Sequence, residues 1–372
     1  MRTMKDGERL ELAIVMLFLL LLVLPAVAFL LGGGRGNDDF IANNERRIAA
    51  TMPPDADIAA TGRYTRSLER VIADRFPLRT PLIVAYDWAK FTLLGDSASS
   101  DVLRGRNGFL FLGDAPSRAY ISGRTPADAD LDYMVQVYKG RADFVRSRGA
   151  RFVLLFPPDK STIYPELLPD GVTLVRPTGL ERLIPRLRAA GIETLDVTPA
   201  VRAAAQQGDA YSHGDTHWNS RGSFAAYRVI AEALRSSGMK AVSPSDLHET
   251  TRLGDGDLLR LAGVGLIYRD EKFDYDFVKR AKRVETPQYA EAGQPREQPY
   301  ATVVEDPSLP TAVFFGDSFA LALRPFVSEG FRRVLHVQYA AQPFNEHIIV
   351  AEHPNVVIQE LVERNLAGHF QQ

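Results

Sequence analysis

The sequence predicts an α/β protein: a parallel sheet flanked by helices on both faces, preceded by one N-terminal transmembrane helix. Two observations predict the sheet. From about residue 130, amphipathic helical segments alternate with short strands. Those strands are almost wholly apolar, as in RFVLLF at 151–156 and AVFF at 312–315. Strands read this way when neither face meets water. A third observation sets the N-terminus apart. Leu12–Leu31 is a run of 20 residues without a charge, enough for a helix to cross a hydrocarbon core of about 30 Å.

Arg2, Lys5 and Arg9 precede that run. The positive-inside rule counts Lys and Arg above all, so it leaves the N-terminus cytoplasmic and exports the remainder. Ala26 and Ala28 form a cleavage-type pattern, but the apolar run continues to Leu31. The expectation is therefore an uncleaved anchor with the body outside the cytoplasm. Residues 1–36 would be anchor and flexible exit, 37–100 a helical region beside the membrane, and 101–372 the main domain.

The elements follow in order. Gly32–Asp39 (GGGRGNDD) and Thr51–Asp57 read as loops. Tyr64–Leu94 carries apolar residues at helical spacing, broken at Phe76-Pro77, which predicts two helices. Asn107-Gly108 predicts a turn into a short strand, FLFL. Leu131–Arg148 predicts a helix that Gly149 ends, and Pro157-Pro158 stop the strand at 151–156. Pro177–Ala190 is helix, Ile192–Val197 strand, and Ser220–Ser236 helix. Further strands are expected at 312–315, within 331–339 and at 355–359. Residues 240–310 are more polar and irregular, an expected insertion on one edge.

Composition excludes several classes. With 45% hydrophobic and 24% charged residues the chain is not intrinsically disordered. A net charge of −2 gives no support to a nucleic-acid partner. With 0 cysteines, disulfides, thiolate zinc sites and cysteine nucleophiles are excluded.

In open α/β sheets ligands bind beyond the carboxyl ends of the strands. Three loops there carry chemistry. GDSF at 316–319 directly follows a strand and places Ser318 at a strand-to-helix turn, as a serine nucleophile requires. Ser318 reads equally as a helix N-cap, and Asp317 as a residue facing away or capping. HGDTHW at 213–218 supplies Asp215 and His217. Two residues apart in an extended segment, they share one side of the backbone, so one loop can deliver a base and the carboxylate that orients it. Alone, such a pair also reads as a surface turn. His213, Asp215 and His217 alternate, which admits a zinc or manganese reading, but Gly214 and the unexplained GDSF weigh against a metal. No cofactor is expected. PPDKSTIYPE at 157–166 offers Lys160 and Tyr164. Lys160 reads as a group for an anionic saccharide or an oxyanion, or as a solvated lysine. Trp218, with Tyr211 and Tyr339, offers a stacking face for sugar rings, or packs under the helix it introduces.

The pieces ADRFPLRTPLI, GRNGFLFLGD, PPDKSTIYPELLP, DTHWNSRG, GDLLRLAG, FFGDSFA and LVERNL stand in an order that resembles the alginate O-acetyltransferase (AlgX/AlgJ) family, over roughly residues 60–366. DTHW and GDSF, about a hundred residues apart, are its most specific part. The resemblance implies an SGNH-hydrolase-like fold, circularly permuted so that the serine motif follows the Asp–His motif. It implies Asp215, His217 and Ser318 as catalytic, and adds to the loop position of Lys160 and Tyr164 as binding residues, beside Trp218 with its aromatic ring. It further implies acetyl transfer to an exported exopolysaccharide, alginate or similar, in the periplasm, beside a multi-spanning membrane acyltransferase that supplies the acetyl group. Six residues follow LVERNL, so the expectation is an inner-membrane-anchored member without a carbohydrate-binding module. An acetylesterase with the same residues, or a non-catalytic subunit of a polysaccharide export complex, are the alternatives.

Overall fold

A computed structural model describes residues 6–32, 34, 36–42, 47–51, 61–286, 298–338 and 344–367. The chain divides into two compact units, 1–99 with 260–267, and 100–259 with 268–372.

The first unit is helical. Asp6–Leu30 forms one helix and Asn37–Phe40 a short one. Thr61–Arg75 and Arg79–Leu93 are the two helices that the Phe76-Pro77 break predicts. Asn37 clamps that break. Its buried side-chain amide donates to the carbonyls of Asp74 and Phe76 at 2.8 and 2.9 Å, and its Oδ1 accepts from Thr80. The reading of Gly32–Asp39 as a flexible stretch is thus corrected at Asn37–Asp39, where a buried amide satisfies carbonyls at a helix end. Residues 52–57 of the second expected loop lie outside the described residues. So do the side chains at 6–10, 13, 21, 22, 26 and 30 of the first helix. Among the described residues no helix is long and apolar enough to cross a membrane.

The second unit holds the sheets. Its strands are β1 Val102–Arg104, β2 Leu110–Leu112, β3 Arg151–Leu155, β4 Thr194–Leu195, β5 His248–Gly254 and β6 Asp270–Asp276. They continue as β7 Lys282–Val284, β8 Tyr300–Val303, β9 Thr311–Gly316, β10 Arg333–Gln338 and β11 Val356–Glu360. The principal sheet has the order β4-β3-β11-β9-β10-β8-β7. From β4 to β10 the pairing is parallel, as expected. The polar stretch after residue 240, expected as an irregular insertion on one edge, lies at an edge only in part and is built of paired strands. Its β7 and β8 extend the sheet antiparallel at one edge, and β5 and β6 form a separate hairpin.

Side chains alternate between two cores. Val153, Leu155, Phe314 and Ile358 face one cluster, with Trp218 and with Tyr227 and Phe326 from the helices at 220–234 and 320–329. Phe152, Leu154, Val313, Phe315 and Val357 face the other, with Leu131, Tyr138 and Leu183 from the helices at 128–147 and 179–189. Successive strand residues point to opposite faces, so a strand between two helical layers must be apolar throughout.

β9 sits at the centre. The chain leaves it through helix 320–329 to β10 on one side, then returns through helix 346–352 to β11 on the other. Connections that diverge to both sides open a crevice at the carboxyl end of the central strand. Gly316 closes β9 there. A Cβ on it would meet the Ala320 Cβ at 2.4 Å and Glu360 Oε2 at 2.7 Å, so close approach, not a left-handed backbone, demands glycine. Gly316→Ala should cost about 1–3 kcal/mol through this crowding. Calorimetry will read that as a lower Tm, and an unchanged Tm would show that the turn can give way.

Candidate active site

Ser318 follows Gly316 by two residues and is partly exposed at the β9 carboxyl end. Asp317 fixes the turn. Its Oδ1 accepts from the Phe319 N–H at 2.9 Å, and its Oδ2 from the Val362 N–H at 2.8 Å and the Asn365 amide at 3.1 Å. Asp317 is therefore buried and directed away from Ser318's partners, as its capping alternative foresaw.

The 212–219 loop brings the other two groups. The structure makes Asp215 and His217 neighbours through a turn, not an extended segment. Asp215 Oδ1 accepts from the His217 backbone N–H at 3.0 Å, an Asx-type turn, and lies 2.8 Å from the His217 Nδ1. His217 Nε2 lies 2.9 Å from Ser318 Oγ. An ionised carboxylate only accepts hydrogen bonds, so it fixes the proton on Nδ1 and leaves Nε2 to accept from the serine hydroxyl. Although burial by itself pushes Asp215 up, its hydrogen bond to His217 and the nearby ammonium of Lys272 hold it well below the usual carboxylate range. The Trp218 indole N–H donates to the Phe319 carbonyl at 3.0 Å, which ties the two motifs together.

A shell of charged groups surrounds the pair. Lys272 Nζ, on β6, lies 2.7 Å from Asp215 Oδ2. Asp270 accepts the Gly214 N–H at 2.8 Å. Asp257 accepts the Thr216 N–H at 2.7 Å and the Thr216 hydroxyl at 2.6 Å. Buried Glu363 accepts from Tyr120, from Thr162 and from the Asp159 N–H. Burial and the charge of Asp159 push Glu363 up to about 7. A hollow of about 440 Å³ opens beside His217, lined also by Arg252, Lys272, Tyr275 and Lys279. A larger one of about 1010 Å³, beside helices 198–205 and 220–234, contains none of these groups.

The structure brings Asp215, His217 and Ser318 together and gives the other named residues different work. Lys160 is buried, and its Nζ donates to the carbonyls of Ser212, His213 and Asp215 at 2.7, 2.7 and 3.1 Å. It holds the loop from behind and has no hydrogen free for a saccharide. Tyr164 is buried too, and its hydroxyl accepts from the Ala210 N–H. Trp218, 3% exposed, packs under the helix at 220–234 and offers no stacking face. Tyr211 is fully buried, and Tyr339 lies outside the described residues. His213 turns to Asp209 and stacks on Phe109, so the alternating His213–Asp215–His217 metal set does not form. Oxygens of Asp215 and Asp257 and a His217 nitrogen do converge within 4.8 Å. There His217 Nδ1 and both Asp257 oxygens are engaged by Asp215 and Thr216, a hydrogen-bonded arrangement and not a ligand set.

Sequence reasoning missed Asp257, Asp270 and Lys272. Asp257 stands in GDLLRLAG, a resembling fragment given no role. The two others lie on a hairpin read as an edge insertion.

Burial pushes Lys160 down to about 7, against the pull of Asp270, Asp215 and Asp257. An unfolded lysine titrates near 10.4. Between these values the unfolded chain binds more protons, so this group's contribution to stability rises with pH across the window and is least below pH 7. Lys160→Met should abolish that slope. It should also leave three carbonyls unpaired, which lowers Tm at neutral pH. Denaturant unfolding of both proteins from pH 7 to 10 checks it, and an identical slope in the variant refutes it.

Comparison with known proteins agrees with this architecture. Residues 102–346 match the family described as "SGNH hydrolase-like domain, acetyltransferase AlgX". The chain is 27% identical over 181 residues to a probable alginate O-acetylase AlgJ of Pseudomonas syringae pv. tomato, covering 46% of this chain and 43% of that protein. It is 25% identical over 207 residues to the probable alginate O-acetylase AlgJ of Pseudomonas aeruginosa, covering 53% and 50%. The chain thus spans about half the length of the curated relatives it matches. Among solved structures, Bacillus cereus PatB1 shares the fold with a TM-score of 0.53 at 16% identity, over 72% of this chain and 97% of that one. The fold is SGNH-hydrolase-like, and the chain belongs to the family of SGNH hydrolase-like, AlgX-type acetyltransferase domains.

Proposed function

We propose that this chain is an O-acetyltransferase that esterifies hydroxyls of an exported exopolysaccharide, alginate or similar, through an acetyl-serine intermediate. One observation carries the reading: the continuous relay from Asp215 to His217 to Ser318, at 2.8 and 2.9 Å, at the carboxyl end of the central strand. The Ser318 oxygen attacks the acetyl carbonyl while His217 Nε2 takes its proton. The donor's alkoxide leaves and recovers that proton, and the acetyl group stays on Ser318. The acceptor hydroxyl then gives its proton to His217 and attacks the ester, releasing the acetylated sugar and free serine. Asp215 stays ionised throughout and steadies the imidazolium.

The uncharged run of 20 residues at Leu12–Leu31, with Arg2, Lys5 and Arg9 before it, supports an inner-membrane anchor with the catalytic domain in the periplasm. On this reading 1–36 is anchor and exit, 37–100 the region beside the membrane, and 101–372 the catalytic domain. The acetyl supplier is a multi-spanning membrane acyltransferase. A second reading, acetylesterase, draws on the 30% exposure of the His217 side chain, which admits water to the same relay.

Mass spectrometry of acetylated oligosaccharides tests the proposal, with the whole protein, a simple acetyl ester and a panel of exopolysaccharide oligomers. Wild type should add acetyl to one class of oligomer. Ser318→Ala should lose at least about 10³-fold in rate while keeping its circular dichroism spectrum and Tm. Ester consumption with no acetylated sugar selects the esterase reading, and unreduced turnover by Ser318→Ala sinks both.

A further inference from the structure

The stretch after the helix at 220–234 was expected to be an insertion on one edge. It instead presses on the 212–217 loop. A Cβ on Gly256 would meet the Gly214 carbonyl oxygen at 1.8 Å, and that oxygen accepts from the Leu258 and Leu259 N–H groups at 3.1 and 3.2 Å. So close a backbone approach, which only glycine permits, sets Asp257 directly under Thr216. Its Oδ2 lies 3.7 Å from His217 Nδ1. On the far side, Lys272 is 15% exposed and lies 2.7 Å from Asp215 Oδ2 and 3.7 Å from Asp270. The Asp215 carboxylate is thus shared: Oδ1 serves the histidine and Oδ2 the lysine.

We propose that Lys272 and Asp257 are positioning residues, which hold Asp215 and the Thr216–His217 backbone in register with Ser318 and set opposing charges around the imidazole. The inference rests on the reading of Ser318, His217 and Asp215 as the reacting groups. The geometry argues for it in two ways. A carboxylate held at one oxygen alone can rotate about its side chain, and one held at both cannot. Thr216, bound through N–H and hydroxyl to a single carboxylate, fixes the peptide that carries His217.

The electrostatics follow from position. Lys272 draws on the charge of Asp215 and repels an imidazolium, so its removal favours the protonated ring. Asp257 adds a second negative charge near Nδ1, so its removal disfavours that form. Other charged groups face this region. Lys160 lies behind the loop, Asp270 beside Lys272, and Arg364 over the Phe319 ring that packs on His217. Arg252, Asp255, Asp274 and Lys279 line the hollow. The two proposed residues differ from these in their direct bonds to the carboxylate partner of His217 and to its backbone neighbour.

The test is NMR titration of the His217 ring in the whole protein, beside the pH dependence of kcat/KM on 4-nitrophenyl acetate. Lys272→Met should move the titration midpoint up, and Asp257→Asn should move it down, each by roughly one pH unit. The acid limb of kcat/KM should move with it, kcat should fall more than KM changes, and Lys272→Arg should return both readouts toward wild type. Shifts of the same sign, or no shift in variants that keep the wild-type Tm, overturn the proposal. Failure of the functional reading is separate: Ser318→Ala would hydrolyse the ester as fast as wild type, while the opposed ring shifts still decide the charge framework.

Discussion

The hydrogen bond from Ser318 to His217 joins segments 101 residues apart, and the rest of the architecture serves it. A bond of about 2.9 Å tolerates little displacement, because its strength falls steeply with distance and angle. Each end is therefore fixed by its own supports. Ser318 stands on a turn fixed by the buried Asp317 carboxylate and by the tight seat of Gly316. His217 stands on a loop gripped by Lys160 behind, Asp257 below and Lys272 at the side. Trp218 then closes the frame through the Phe319 carbonyl.

Most of these supports are charged side chains, buried at Lys160 and Asp317 and half-buried at Asp257 and Lys272, an expensive choice for holding a loop. An unpaired buried charge is strongly disfavoured, so each must find partners. The partners here are largely backbone groups: carbonyls for Lys160, N–H groups for Asp257, Asp270, Asp317 and Glu363. Irregular loops leave such backbone groups without a ladder to join, and burying them requires replacements. Charged side chains supply these at the carboxyl ends of the strands, where the sheet's own hydrogen bonding runs out. The same packing accounts for Tyr164 and Lys160, which lie in a loop where binding residues are expected and are consumed in holding it.

The sequence by itself determined the sheet and pointed to the three polar residues that the fold brings together. Alternating faces on β3, β9 and β11 leave wholly apolar strands, and that pattern is local, so it is legible without coordinates. Asp215, His217 and Ser318 were legible too, because their residue types and strand-end positions constrain the chemistry. Tertiary structure alone decided what lies around them. Asp257 and Lys272 are separated from His217 by dozens of residues of polar, irregular chain. Nothing in their local spacing distinguishes them from solvated charges. Whether Trp218 offered a face or packed away, and whether Lys160 reached a ligand or a carbonyl, depended on neighbours that no periodicity encodes. Burial and hydrogen-bond partners are properties of the folded assembly, while hydrophobic period and motif spacing belong to the chain.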